Sequence, residues 1–189
     1  MQNSKNNSPL RIVIFAGGVG TRMWPLSRKS TPKQFEKIVG DKSTLQLSVE
    51  RVRPEVEYKN IYISTGQQYV EIVRQQLPEL PPENIIGEPE MRDVAPAVGY
   101  LMSILAKDDP WGPVAILWSD HLVEKVDRFK SAIQAGADYL RKHPNLFVFL
   151  GQKARFPNQN LGWIEHGEVI ETIEGISLHK FVSWHYRPS

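Results

Sequence analysis

The residues Arg11-Ile12-Val13-Ile14-Phe15-Ala16 form a short apolar run, rich in β-branched side chains, that Gly17-Gly18 cuts off abruptly. Such a run, bounded by turn residues, reads as a buried strand. A buried strand needs neighbours on both sides, and the chain supplies candidates along its length. Ile61-Tyr62-Ile63, Asn84-Ile85-Ile86, Val114 to Trp118 and Leu146 to Leu150 all read as further strands. Helical patterns fill the intervals. Ser43 followed by Gln46 is a capping-box pattern, and Leu45, Val49 and Val52 continue at helical spacing until Pro54 forbids more. Thr65 with Gln68 reads as a second helix start, carrying Tyr69, Val70, Val73 and Leu77 as far as Pro78. Asp93 with Pro96 reads as a third start, and Val98 to Ala106 is apolar almost all round, which predicts a helix lying inside the protein. Asp127 is expected to cap a fourth, presenting Phe129, Ile133, Gly136 and Leu140.

Strands alternating with helices predict an α/β fold with an open, mostly parallel twisted sheet, and ligands at the carboxyl ends of its strands. Beyond Gly151 the pattern shifts to short strands and turn residues. Gly162 to Glu165 and Glu168 to Ile173 read as a C-terminal β-hairpin region turning at His166-Gly167. The expected organisation is a disordered N-terminus at 1–10, one α/β domain at 11–175, incomplete at its C-terminal end, and an atypical tail at 176–189. The absence of cysteine excludes disulfides, thiolate metal sites and cysteine nucleophiles. A formal charge of +2, from 23 Lys+Arg against 21 Asp+Glu, argues against nucleic acid or a membrane surface as the main partner. With a polar start and no apolar run approaching a membrane span, the expectation is a cytoplasmic protein.

Any anion specificity must then be local, and one segment carries it. Gly17-Gly18-Val19-Gly20-Thr21-Arg22 directly follows the first strand, where glycines let the backbone turn sharply and point N–H groups at an oxyanion. From Val19 to Lys37 the chain adds Arg22, Arg28, Lys29, Lys33 and Lys37 against Glu36 alone. That balance suits several phosphates. A Walker A loop is excluded, because no Gly-Lys-Ser/Thr closes the turn. A dinucleotide fingerprint is excluded as well: Met23 is large where a small residue is needed, and Ser64-Thr65 stands where a ribose-binding acid belongs.

Gly17-Gly18-Val19-Gly20-Thr21-Arg22-Met23-Trp24-Pro25-Leu26-Ser27 followed by Pro32-Lys33-Gln34-Phe35 resembles the signature of the nucleotide-sugar pyrophosphorylases. The Pro32 to Phe35 ending, with Gly87-Glu88-Pro89, Arg92-Asp93-Val94-Ala95-Pro96-Ala97 and Ser119-Asp120-His121, resembles the mannose-1-phosphate guanylyltransferase branch. The resemblance covers about Arg11 to Glu165, with Trp118 in place of a usual proline and Val94 in place of a usual threonine. It implies a Rossmann-like nucleotidyltransferase fold and attack of mannose 1-phosphate on the α-phosphorus of GTP, giving GDP-mannose and pyrophosphate. Such a nucleophile, with a second pKa of about 6, needs no activating base. The demand is for alignment and for neutralising phosphate charge.

By resemblance, Arg22 and Lys33 are the catalytic cations, with Arg22 on the leaving phosphates and Lys33 near the transfer centre. Gly17, Gly18, Gly20 and Thr21 belong to the nucleotide-binding turn. Asp120, placed where a strand leaves the carboxyl edge of the sheet, is the expected Mg²⁺ ligand, a turn-forming or helix-capping aspartate being the alternative. Glu88 has the chemistry to select guanine, since one carboxylate accepts from both N1–H and the exocyclic amine; a solvent-exposed, idle glutamate is its alternative. Such an acceptor pair fits a uridylyl- or thymidylyltransferase less well. Arg92 either contacts nucleotide or pairs with Asp93. Gly162, Trp163 and Glu165 resemble the family's sugar-pocket stretch, with Trp163 equally suited to a core position.

The family continues with Phe-Val-Glu-Lys-Pro, then an asparagine motif and a second metal-binding aspartate. Here the run is Phe181-Val182-Ser183-Trp184-His185-Tyr186-Arg187-Pro188-Ser189. The expectation is therefore a truncated or frame-altered product of a larger enzyme, with a non-catalytic nucleotide-binding remnant as the alternative. Trp184 and Tyr186, expected to be exposed, favour self-association into a homo-oligomer.

Overall fold

The computed structural model describes residues 8–18, 32–37, 40–90 and 92–187, and the chain divides between Val126 and Asp127 into two compact units. The first is organised around strand β1 (Arg11–Phe15), every residue of which is buried. It pairs in parallel with β2 (Ile61–Gly66) on one side, Ile12 beside Ile61, and with β4 (Val114–Trp118) on the other, Ile14 beside Leu117. β3 (Ile85–Glu88) joins β2 with Ile63 beside Ile85, so the four-stranded parallel sheet has the order β3-β2-β1-β4. The α/β reading is borne out, and the carboxyl ends of all four strands share one edge.

Helix α1 (Thr44–Glu50) starts on the capping box the sequence announces: the Ser43 hydroxyl accepts the Gln46 N–H, and the Gln46 side chain accepts the Ser43 N–H. The second expected start does not occur at Thr65. That residue lies fully buried within β2, and α2 (Val70–Gln76) begins after a short 3₁₀ turn. The Thr65 hydroxyl is used across the sheet, donating to the Ala16 carbonyl at 2.8 Å. Helix α3 (Val94–Asp108) begins at Asp93, whose carboxylate accepts the Val94 N–H and whose φ of 74° with ψ of 177° is a backbone conformation that side-chain-bearing residues rarely adopt. Its apolar composition overstates its burial. Leu101 and Leu105 pack with Val13, Phe15 and Ile86, whereas Tyr100 and Ser103 face outward. A single sheet face offers a helix one side to bury.

Arg11 is buried in this unit. Its guanidinium donates to the carbonyls of Leu105, Asp109 and Gly112 at 2.9, 2.6 and 3.3 Å, closing the C-terminal end of α3 against the start of β1. A cation at a helix C-terminus complements the aligned carbonyl dipoles.

The second unit contains α4 (Val126–Lys142) and an antiparallel pair, β5 (Gly162–Ile173) and β6 (Ile176–Tyr186). Residues 176–186, within the stretch read as an atypical tail, are thus a regular strand. The hairpin exists, but its turn is not at His166-Gly167. β5 runs through that dipeptide, with register irregularities between Glu165 and Glu171. The turn is Glu174-Gly175, with φ of 48° and 77°, between the paired Ile173 and Ile176. Two central residues of positive φ match the twist of the strands they join. Leu146 to Leu150 reads as a strand but enters no ladder among the described residues. Val148 and Leu150 pack near Gly136 of α4, while Phe147 is 93% exposed. No helix among the described residues is long and apolar enough to cross a membrane.

Replacing Arg11 with methionine is expected to lower unfolding stability by about 2–3 kcal/mol, because carbonyls at the end of α3 lose buried partners. Urea unfolding of the two proteins measures it, and an unchanged midpoint would show that this cap is dispensable.

Candidate functional site

The site assembles where β1 ends. Ala16 is held from three directions: its N–H donates to the Ser64 carbonyl at 2.8 Å, and its own carbonyl accepts from Thr65 Oγ1 at 2.8 Å and Gln34 Nε2 at 2.9 Å. Gln34 is only 1% exposed, yet its amide reaches a backbone 18 residues away in sequence. It belongs to a 3₁₀ turn, Lys33–Phe35, in which Gln34 and Phe35 are buried. Packing of those two residues leaves Lys33 to project the other way.

Lys33 Nζ lies 2.5 Å from Asp120 Oδ2. Asp120 follows β4 by two positions, and its neighbour Ser119 is fixed by an N–H bond to the Phe15 carbonyl and by Ser48 Oγ, which donates to the Ser119 carbonyl. Burial raises the Asp120 pKa, but the Lys33 hydrogen bond and charge, with lesser help from His121, outweigh it and hold the carboxyl below the usual aspartate value. Asp120 is therefore an anion paired with a cation, and it caps no helix. It offers one hard oxygen ligand, in keeping with Mg²⁺, which is commonly held by one or two carboxylates together with substrate phosphates. Among the described residues no cluster of three or more His, Cys, Asp or Glu could hold a metal alone.

On the β2–β3 side of β1, Glu88 at the end of β3 accepts a hydrogen bond from Ser64 Oγ to Oε1 at 2.8 Å. The same oxygen lies 3.8 Å from the point a Cβ on Gly17 would occupy. Glu88 is thus engaged at the end of the sheet beside Gly17, not idle in solvent. It also lines a cleft of about 350 Å³ with Pro89, Arg92, Pro96, Ala97 and Tyr100, within the ordinary range for small-molecule sites of roughly 300–1,000 Å³. Arg92 pairs with Glu90, Nη2 to Oε2 at 2.5 Å, where the sequence offered Asp93; Asp93 is committed to capping α3.

Gly17, Gly18, Lys33, Glu88, Arg92 and Asp120 therefore belong to the first unit. Gly20, Thr21 and Arg22 lie outside the described residues. Gly162 and Glu165 belong to the second unit and have partners there. The Trp184 indole occupies the space beside Gly162 that a Cβ would need. Glu165 accepts from Ser183 at 2.7 Å and sits 3.2 Å from His185 Nε2; these two bonds hold its pKa below the usual glutamate value. Trp163 is partly buried and donates its indole N–H to the Asn158 carbonyl. Sequence reasoning missed Gln34, Ser64 and Thr65 as side chains that build the site. Their only signal is polarity at the ends of apolar segments, where a buried hydroxyl or amide needs a partner.

Residues 11–177 match the family described as nucleotidyl transferase. The chain belongs to that family. It is 36% identical over 169 residues to a mannose-1-phosphate guanylyltransferase of Escherichia coli K12, covering 86% of this chain and 34% of that protein. It is 31% identical over 157 residues to the xanthan biosynthesis protein XanB of Xanthomonas campestris strain ATCC 33913, covering 82% and 33%. A crystal structure from Thermus thermophilus, described as a mannose-1-phosphate geranyltransferase, superimposes with a TM-score of 0.80 at 25% identity, covering 95% of this chain and 50% of that one. The chain thus spans about a third of the length of the two curated relatives.

Gln34 and Thr65 share one acceptor, so their substitutions are expected to be non-additive. Of its donors among the described residues, Q34A or T65V alone leaves the Ala16 carbonyl one, whereas the double variant leaves it neither and should lose about 1 kcal/mol more than the sum. Chemical denaturation of the four proteins tests this; strict additivity would mean the two donors act independently.

Proposed function

We propose that this site binds a guanosine triphosphate and serves transfer of its GMP group to mannose 1-phosphate, releasing pyrophosphate. What supports the reading is the arrangement at the end of β1: a carboxylate, Glu88, beside Gly17 on the β3 side and an ammonium–carboxylate pair, Lys33 and Asp120, on the β4 side. A triphosphate nucleotide has that polarity, with a base that donates hydrogen bonds at one end and a chain of anionic oxygens at the other.

In the proposed reaction an oxygen of mannose 1-phosphate forms a bond to the α-phosphorus while the bond to the bridging oxygen of the leaving pyrophosphate breaks. No proton has to be removed from the nucleophile. Glu88 accepts N1–H and the exocyclic amine of guanine through lone pairs left over from its bond with Ser64. Lys33 exchanges Asp120 for phosphate oxygens near the transfer centre, and Arg22 takes the leaving phosphates. Asp120 would hold Mg²⁺, which when bound supplies charge neutralisation to the phosphates. In the second unit, Glu165 is the proposed acceptor for a sugar hydroxyl. The names of the relatives, mannose-1-phosphate guanylyltransferases among them, favour this choice of base and sugar.

GTP with Mg²⁺ is expected to raise the thermal midpoint more than ATP, UTP or dTTP does; equal shifts with all four would remove the guanine assignment. Pyrophosphate release from GTP and mannose 1-phosphate tests the chemistry. Lys33→Ala should lower its rate by about 100-fold or more, as loss of a donor to transition-state charge does. Guanine-selective binding without any release would favour the nucleotide-binding alternative.

A further inference from the structure

We propose that Ser64 is a positioning residue that sets nucleobase selectivity by fixing the plane of the Glu88 carboxylate. The inference rests on the reading above, in which that carboxylate meets the base. Ser64 sits in the middle of the parallel sheet, on β2 between β1 and β3, and is fully buried. Its backbone is paired on both sides, beside Phe15 and beside Ile86, and its carbonyl accepts the Ala16 N–H. Its hydroxyl therefore has little freedom of position.

Glu88 is two residues beyond Ile86, which makes it the diagonal neighbour of Ser64 on one sheet face, within reach of a long side chain. The Ser64 hydroxyl donates to Oε1 at 2.8 Å. The terminal torsion of a glutamate is broad and two-fold, so an untethered carboxylate samples many planes. One fixed donor on one oxygen removes most of that freedom and leaves the remaining lone pairs directed outward. Two parallel donors on a purine edge require both carboxylate oxygens in the plane of the base. A purine with a 6-amino group and no N1–H cannot satisfy that edge in any orientation. Selectivity then depends on orientation as well as on charge, and the orientation comes from β2. Thr65, the next residue, points its hydroxyl instead at the Ala16 carbonyl. Adjacent positions on one strand thus serve the base acceptor and the phosphate turn separately, as alternation of side chains across a sheet allows.

The test measures affinities for Mg²⁺-GTP and Mg²⁺-ATP in the intact chain by calorimetry, with Ser64→Ala and Ser64→Thr. Ser64→Ala is expected to weaken GTP about tenfold, the effect of losing one hydrogen bond to a charged group, while leaving ATP unchanged. Retained ATP binding then reports that the phosphate turn is still folded. Ser64→Thr, which keeps the hydroxyl, should restore most of the GTP preference. A wild-type preference for GTP that survives in Ser64→Ala, or an equal loss for both nucleotides, would overturn the positioning role while leaving the guanine reading standing. Equal wild-type affinities for GTP and ATP would overturn both.

Discussion

Everything at the site depends on β1 being the inner strand of a parallel sheet. Pairing with β2 and β4 uses both of its backbone edges, and burial of all five residues removes its side chains from solvent. The strand can end only by leaving the sheet, and Gly17-Gly18 lets it do so at once. Because the four strands run the same way, the residues that follow β1, β3 and β4 emerge at one edge without any long loop having to be ordered. Gly17, Glu88 and Asp120 are brought to that edge by register alone. Among the described residues, Lys33 arrives from outside the sheet, and the buried Gln34 secures it by bonding to the last carbonyl before the glycines.

What the sequence made legible follows from the same physics. The β1, β2, β3 and β4 runs and the Ser43-Gln46 box are local signals: a few adjacent residues state their own partner or their own burial. Glu88, Asp120 and Lys33 were legible through chemistry and motif. Thr65 was not, because a hydroxyl before a helical pattern looks the same whether it caps that helix or reaches a carbonyl 49 residues back in sequence. Ser64 shows in the sequence only as the lack of an acid, since nothing there says that Glu88 lies diagonally across a sheet from it. The apolar run of α3 suggests burial all round, because composition reports what a helix can bury and not how many faces its surroundings offer.

The second unit shows the converse error. Leu146 to Leu150 has the composition of an inner strand, yet a ladder belongs to two segments, and no described residue supplies the other one. The hairpin was found with its turn misplaced. His166-Gly167 contains a glycine and invites a turn, but β5 absorbs it as an irregularity while Glu174-Gly175 provides the two consecutive positive φ angles that a two-residue connection needs. Glycine marks where a chain can turn; the pairing of the flanking strands decides where it does.

The Lys33–Asp120 pair separates what holds the fold from what serves the site. The Asp120 side chain is 42% exposed, and an ion pair open to water contributes on the order of 0–1 kcal/mol. The sheet does not need it. The groups around it are of another kind: Gln34, Ser48, Ser64 and Ser119 are all nearly or fully buried, and each makes a hydrogen bond whose loss would strand a polar atom. These fix the backbone from which the two charged side chains project. A cation and an anion that neutralise one another at little energetic gain can exchange partners at little cost. A polyanion entering with its own cation asks for that exchange, since each member of the pair would find a stronger partner in the ligand than in the other. The rigid hydrogen bonds and the weak ion pair are therefore complementary parts of one arrangement, the first keeping the charges in register and the second pairing them at little energetic gain.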